Sequence, residues 1–189
     1  MSQKLVILSD MWGAKKGLWI TSYLGYLQQY FDITYYDIQQ LSNVDVTVNT
    51  ADNVHRAFVD GGIDTGVAHL LKKESEPAHY LGFSMGGAIA WKAGLMGLPM
   101  KSLYTISSTR IRAEEEKPEC NTIALFGDQD VYRPKLDWHQ KVGVKSELIE
   151  GFGHTMYGDE KIISRVCLDL LKSVTQKPIE KTSAHIKIA

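Results

Sequence analysis

The sequence predicts an α/β domain with a doubly wound, mostly parallel sheet of about six strands. Short apolar runs alternate along the chain with segments whose apolar residues recur at helical spacing. Several of those runs are continuous rather than alternating, the pattern of strands covered on both faces. The length, 189 residues, suits one hydrophobic core. One domain is therefore expected over residues 1–177, with 178–189, beginning at Pro178, as a loosely ordered tail.

The first strand is "KLVILS", from Lys4 to Ser9. From Leu18 onward, Trp19, Tyr23, Tyr26, Leu27 and Tyr30 recur at helical spacing. "DITYYDI" (Asp32 to Ile38) is rich in β-branched and aromatic residues and reads as a strand. A polar stretch follows, and then "GGIDTGVAHLLKK" (Gly61 to Lys73), a helix with Ile63, Val67, Leu70 and Leu71 on one face. Pro77 closes it. "AHYLGF" is the next strand and Met85 to Leu98 the next helix. "KSLYTISS", "NTIALFG" and "SELIEGFG" supply three more strands, and Asp159 to Val174 an amphipathic last helix.

Bulk properties exclude several functions. A formal net charge of −1 gives no field that would recruit nucleic acid or an anionic membrane. The apolar run from Leu5 to Leu8 is too short for a signal peptide, and no stretch approaches the ~20 apolar residues of a membrane span. Cys120 and Cys167 are far apart and lack metal-type spacing, so they read as thiols in a reducing compartment. The expected setting is the cytoplasm, with a small molecule as partner.

In open parallel sheets, sites form beyond the carboxyl ends of the strands. After the third strand stands Gly82-Phe83-Ser84-Met85-Gly86, a G-x-S-x-G pattern with a strand leading in and a helix leading out. Glycines on either side would allow the tight approach such a turn needs. A serine hydroxyl is a weak nucleophile and needs a base, itself oriented by an acid. Asp128 and Asp130 follow the fifth strand, and His154 follows the last. His55 and His69 fall in helical segments and His79 at the start of a strand, where no site is expected. His139 lies beyond the acid loop and His185 in the tail.

The chain order Ser, Asp, His, with these flanking segments, resembles a small α/β-hydrolase without a cap domain. That family carries its acid in a Gly-x-x-Asp segment followed by proline, matched by Gly127 to Pro134, and its histidine as Gly-His, matched by Gly153-His154. The resemblance runs from Lys4 to about Val174. It implies Ser84 as nucleophile, Asp130 rather than Asp128 as acid, and His154 as base. Asp128 has a structural role open to it, binding amides of its own turn.

An oxyanion hole is also implied, with the Met85 amide as one donor. In the loop after the first strand, Asp10-Met11-Trp12-Gly13 is similar to the dienelactone hydrolase subgroup. That similarity makes the Met11 amide the second donor, with Trp12 the runner-up, and puts Asp10 near the nucleophile. The subgroup has cysteine where this chain has Ser84.

The first strand leads directly into the oxyanion loop, so the two leading strands of a full-length relative are expected to be missing. About a dozen residues separate Ser108 from Asn121, too few for a cap. The expected pocket lining is Met11, Trp12, Met85, Tyr132, Met156 and Tyr157, suited to an acyl or aryl group. Lys15, Lys16, Arg110, Arg112 and Arg133 lie on loops at the same sheet edge. They raise the expectation of an anionic substrate group, against which Glu114 to Glu116 could be simple neutralising partners.

The function expected is hydrolysis of an ester, thioester or activated amide through an acyl-enzyme on Ser84, with no metal or organic cofactor. Acyl transfer by the same residues, and a non-catalytic binding module, are the alternatives. A nucleotide-binding loop at Gly82 to Gly87 fails because Ser84 stands where G-x-G-x-x-G needs its second glycine.

Overall fold

The computed structural model describes residues 2–175. The tail assigned to 178–189 lies outside the described residues. Six strands form one parallel sheet: β1 (Gln3–Leu8), β2 (Phe31–Tyr36), β3 (Ala78–Phe83), β4 (Met100–Ile106), β5 (Asn121–Gly127) and β6 (Lys145–Ile149). Their order is β2-β1-β3-β4-β5-β6. All five pairings are parallel.

Side-chain alternation splits the apolar residues between two cores. Leu5 and Ile7 of β1, Leu81 and Phe83 of β3, and Tyr104 and Ile106 of β4 face α1 (Ile20–Leu27) and the last helix, α7 (Glu160–Thr175). Val6, Leu8, Tyr80 and Leu103 point the other way. There they meet α2 (Ile38–Leu41), α3 (Ala51–Ala57), α4 (Ile63–Lys73), α5 (Met85–Leu95) and α6 (Trp138–Val142). A sheet buried on both faces explains the continuous apolar runs.

The sequence expectation lacks α2 and α6, and gives α3 only as the helical setting of His55. The polar stretch after β2 contains α2 and α3, and α6 precedes β6. α2 starts because the Asp37 side chain accepts from the Gln39 and Gln40 amides, and α3 because Thr50 accepts from Asn53. Of the three, α3 buries least within its span: Val54 is its buried residue, and Phe58 just beyond it enters the same core. α3 and α4 are separated by a wide turn at Phe58–Gly62, where Gly61 takes φ 137°, open to glycine but strained for other residues.

The chain leaves β1 toward β2 on one side and reaches β3 on the other, so the order reverses between β1 and β3. In such sheets the crevice beyond those two strand ends is where ligands bind. The register pairs Leu8 with Gly82, which places Asp10 and Met11 beside Ser84 and Met85.

Candidate active site

Ser84 sits at the turn between β3 and α5 with φ 48° and ψ −116°, a conformation that costs a non-glycine residue about 1–3 kcal/mol. Packing holds it there. The Ser84 amide donates to the Ile106 carbonyl at 2.8 Å. Around it the backbone passes too closely for side chains: a Cβ on Gly82 would strike Gly87, and one on Gly86 would strike the Ser9 carbonyl. The turn thus aims the Ser84 side chain out of the sheet edge.

Two loops bring the other groups to it. The β5–α6 loop and the loop after β6 are tied together by Asp128 N–H to Ile149 O (3.0 Å) and Gln129 N–H to Phe152 O (3.0 Å). Asp128 also accepts from the Gly151 amide at 2.9 Å, so its side chain bridges the loops rather than capping only its own turn. With the loops fixed, Asp130 Oδ2 lies 2.7 Å from His154 Nδ1, and His154 Nε2 lies 2.8 Å from Ser84 Oγ. The Asp130 side chain is 1% exposed and His154 35%. Asp130 Oδ1 accepts from the Tyr132 amide at 3.0 Å, which fixes the carboxylate plane. A carboxylate only accepts, so His154 Nδ1 carries the proton and Nε2 accepts from the serine.

The amide of Met85, first residue of α5, has no partner within the helix. In the loop after β1, the Trp12 amide is taken by Asp10 Oδ1 at 3.0 Å. This removes Trp12 as an oxyanion donor. The Met11 carbonyl accepts from Gln39 at 2.8 Å, which steadies the peptide that follows it. Asp10 is buried beside Ser84, and Tyr157 donates to its Oδ2 at 3.0 Å. Burial outweighs these hydrogen bonds and raises its carboxyl above the usual range.

A cavity of about 460 Å³ opens over Ser84 and His154. Met11, Met85 and Tyr132 line it, as the sequence implied, together with Thr109, Arg110 and Arg112. Its remaining wall is Ala51, Asp52 and His55 of α3. These three, His55 among them, are residues the sequence gave no reason to place at a site. The pairing of Thr50 as cap with Val54 and Phe58 four apart was the signal for their helix.

Trp12, Met156 and Tyr157 are not in that lining. Trp12 packs on the α2–α6 core with the Lys16 ammonium 3.7 Å above its ring. Met156 and Tyr157 are 3% and 4% exposed and belong to the opposite core, where Tyr157 meets Trp19 and Phe83. They anchor the loop that carries His154 and stay outside the cavity.

The cations separate in the same way. Arg133 Nε donates to the Asp128 carbonyl at 3.1 Å, and the side chain lines a neighbouring cavity of about 770 Å³ with Glu114, Glu115, Lys135 and Trp138. That larger space meets the serine cavity at Arg112 and Tyr132 and contains none of Ser84, Asp130 or His154. Lys15 and Lys16 stay outside the serine cavity. Among the described residues, no three metal-ligating side chains gather, and no helix is long and apolar enough to cross a membrane.

An open six-stranded parallel sheet with this serine turn at its switch point defines the α/β-hydrolase fold, and the β4–β5 connection holds one short turn (Thr109–Ala113) in place of a cap. Solved structures agree. The chain is similar to a Xanthomonas campestris protein assigned to the α/β-hydrolase superfamily, at 16% identity and TM-score 0.67, over 91% of this chain and 99% of that one. A Thermoplasma acidophilum protein classed as a CIB-like hydrolase gives 16% identity and TM-score 0.65, over 92% and 88%. The naproxen esterase of Bacillus subtilis gives 11% and 0.58, over 91% and 83%. These neighbours are hydrolases and esterases of one superfamily, and the chain has their fold. No protein-family model and no curated protein sequence matches it.

Proposed function

We propose that the protein is a serine hydrolase acting on an ester, thioester or activated amide of a small molecule. The observation that carries this is the unbroken line from Asp130 through His154 to Ser84, at 2.7 and 2.8 Å, opening into a cavity. Ser84 Oγ attacks the carbonyl carbon while its proton passes to His154 Nε2. Asp130 holds the imidazole in the required tautomer and offsets the imidazolium charge. The carbonyl oxygen, becoming negative, takes hydrogen bonds from the Met85 and Met11 amides. Collapse expels the leaving group, which takes its proton from His154. Water then attacks the acyl-serine through the same base, restoring Ser84. Each proton and electron pair is accounted for by these residues and water, so the cycle calls for no metal or organic cofactor.

The test is covalent labelling with a fluorophosphonate, read by intact mass, on wild type, Ser84→Ala and His154→Ala. Rapid single labelling of wild type, absent in both variants, is expected. A folded wild type that takes no label would overturn the reading in favour of a non-catalytic binding role.

A further inference from the structure

Arg110 and Arg112 both stand on the wall of the serine cavity. Both come from the short turn after β4, whose last strand residue, Ile106, holds the Ser84 amide. The turn geometry is set locally: Arg112 Nη1 donates to the Thr109 carbonyl at 2.8 Å, which orients one guanidinium edge and leaves its other donors unused by described groups. Among the described residues no carboxylate forms an ion pair with either arginine. Glu114 and Glu115 line the neighbouring cavity, which Arg112 also borders, and neither carboxylate pairs with it.

Opposite them, α3 contributes His55 and Asp52. Desolvation first, and then the two guanidinium groups, hold the His55 imidazole below its usual range. The two guanidinium charges thus disfavour its protonated form. Asp52 is the one lining carboxylate, so the cations exceed the anions on this wall. A cavity that concentrates unpaired guanidinium groups next to a nucleophile is incomplete without a negative group.

We propose that the acyl or leaving group of the substrate carries an oxyanion, a carboxylate or phosphate, bound by Arg110 and Arg112 with His55 alongside. This rests on the serine hydrolase reading for its chemistry and sets the substrate class: charged half-esters or phosphate-bearing esters in preference to neutral ones. Arg133, Lys15 and Lys16 take no part.

Two measurements keep the two readings apart. The first compares kcat/KM for 4-nitrophenyl hemiglutarate and 4-nitrophenyl butyrate in wild type, Arg110→Gln, Arg112→Gln and Lys145→Gln. Wild type should favour the hemiglutarate by about tenfold or more, the size expected of one partly solvated charge-assisted contact. The ratio should collapse toward one in either arginine variant and hold in Lys145→Gln, where a cation is lost at the far end of β6. A wild-type ratio near one, or a ratio unmoved by both arginine substitutions, overturns the proposal. The second titrates glutarate and inorganic phosphate into Ser84→Ala, following the NMR signals of the arginine Nε–H groups and His55. Saturable shifts lost in Arg110→Gln support the anion site even if no ester is turned over, and the stronger of the two anions identifies which group the substrate bears. Absence of shifts with both, in a folded variant, overturns it.

Discussion

The turn that carries Ser84 and the wall that faces it are built on opposite principles. Around the serine, every glycine is a point of backbone contact, Met85 and Phe83 are buried, and the backbone is held in a costly conformation. Across the cavity, Tyr132 is 65% exposed, and Arg112 and His55 are open to water. The first region has no freedom, so a change there acts on folding or on chemistry in near all-or-none fashion. The second has slack, and changes there act on which ligand fits. Position and chemistry are fixed by the sheet; selection is left to loops.

The sharpest way to break the contrast is on the rigid side. Given the proposed mechanism, Ser84→Ala should lower kcat by about 10⁴-fold or more, with the fold intact by circular dichroism. Asp130→Asn should cost about 10³- to 10⁴-fold in kcat, whereas Asp128→Asn, whose carboxylate bridges two loops, should chiefly lower Tm. Equal kinetic losses in the two aspartate variants would remove the assignment of Asp130. Next in size, Gly86→Ala pushes a methyl into the Ser9 carbonyl and the Leu8 side chain. A loss of about 3 kcal/mol in urea unfolding is expected.

A gain should come from the strained residue itself. Ser84→Gly relieves φ 48° and should raise stability by about 1 kcal/mol, a few degrees in Tm, while abolishing turnover. A lower Tm would mean the serine hydroxyl, not its backbone, dominates the energetics there. The smallest effect concerns Asp10. Burial raises its carboxyl above the unfolded value of 3.8, so the folded chain holds that proton more tightly than the unfolded one. The stability this provides is full below 3.8 and is lost as pH rises through the folded value. Asp10→Asn stays neutral and can still accept from Trp12, so its Tm should exceed wild type at pH 7 and converge with it in acid. Parallel melting curves at all pH values would count against a penalty from the buried charge.

The α/β layout was legible because its signals are local. "AHYLGF" and "NTIALFG" match β3 and β5 residue for residue, since a strand covered on both faces must be apolar at nearly every position. Ser84, Asp130 and His154 could be singled out because each follows directly on a strand end or lies a few residues beyond it. α3 was legible only as a helical setting for His55, without bounds: it buries one residue of seven within its own span, so periodicity had almost nothing to report. Its place comes from packing Val54 and Phe58 into a core shared with distant strands.

By itself the sequence determined the strand and helix alternation, the glycines around Ser84 and the order of Ser84, Asp130 and His154 at strand ends, because spacing and backbone sterics act between near neighbours. Only the tertiary structure decided what the cavity contains. It turned Met156 and Tyr157 into the core, spent the Trp12 amide on Asp10, kept Arg133 out of the serine cavity that Arg110 and Arg112 line, and brought His55 into that cavity. Those outcomes depend on which loops meet above the reversal in strand order, and contacts between segments so far apart in the chain leave no periodic trace in it.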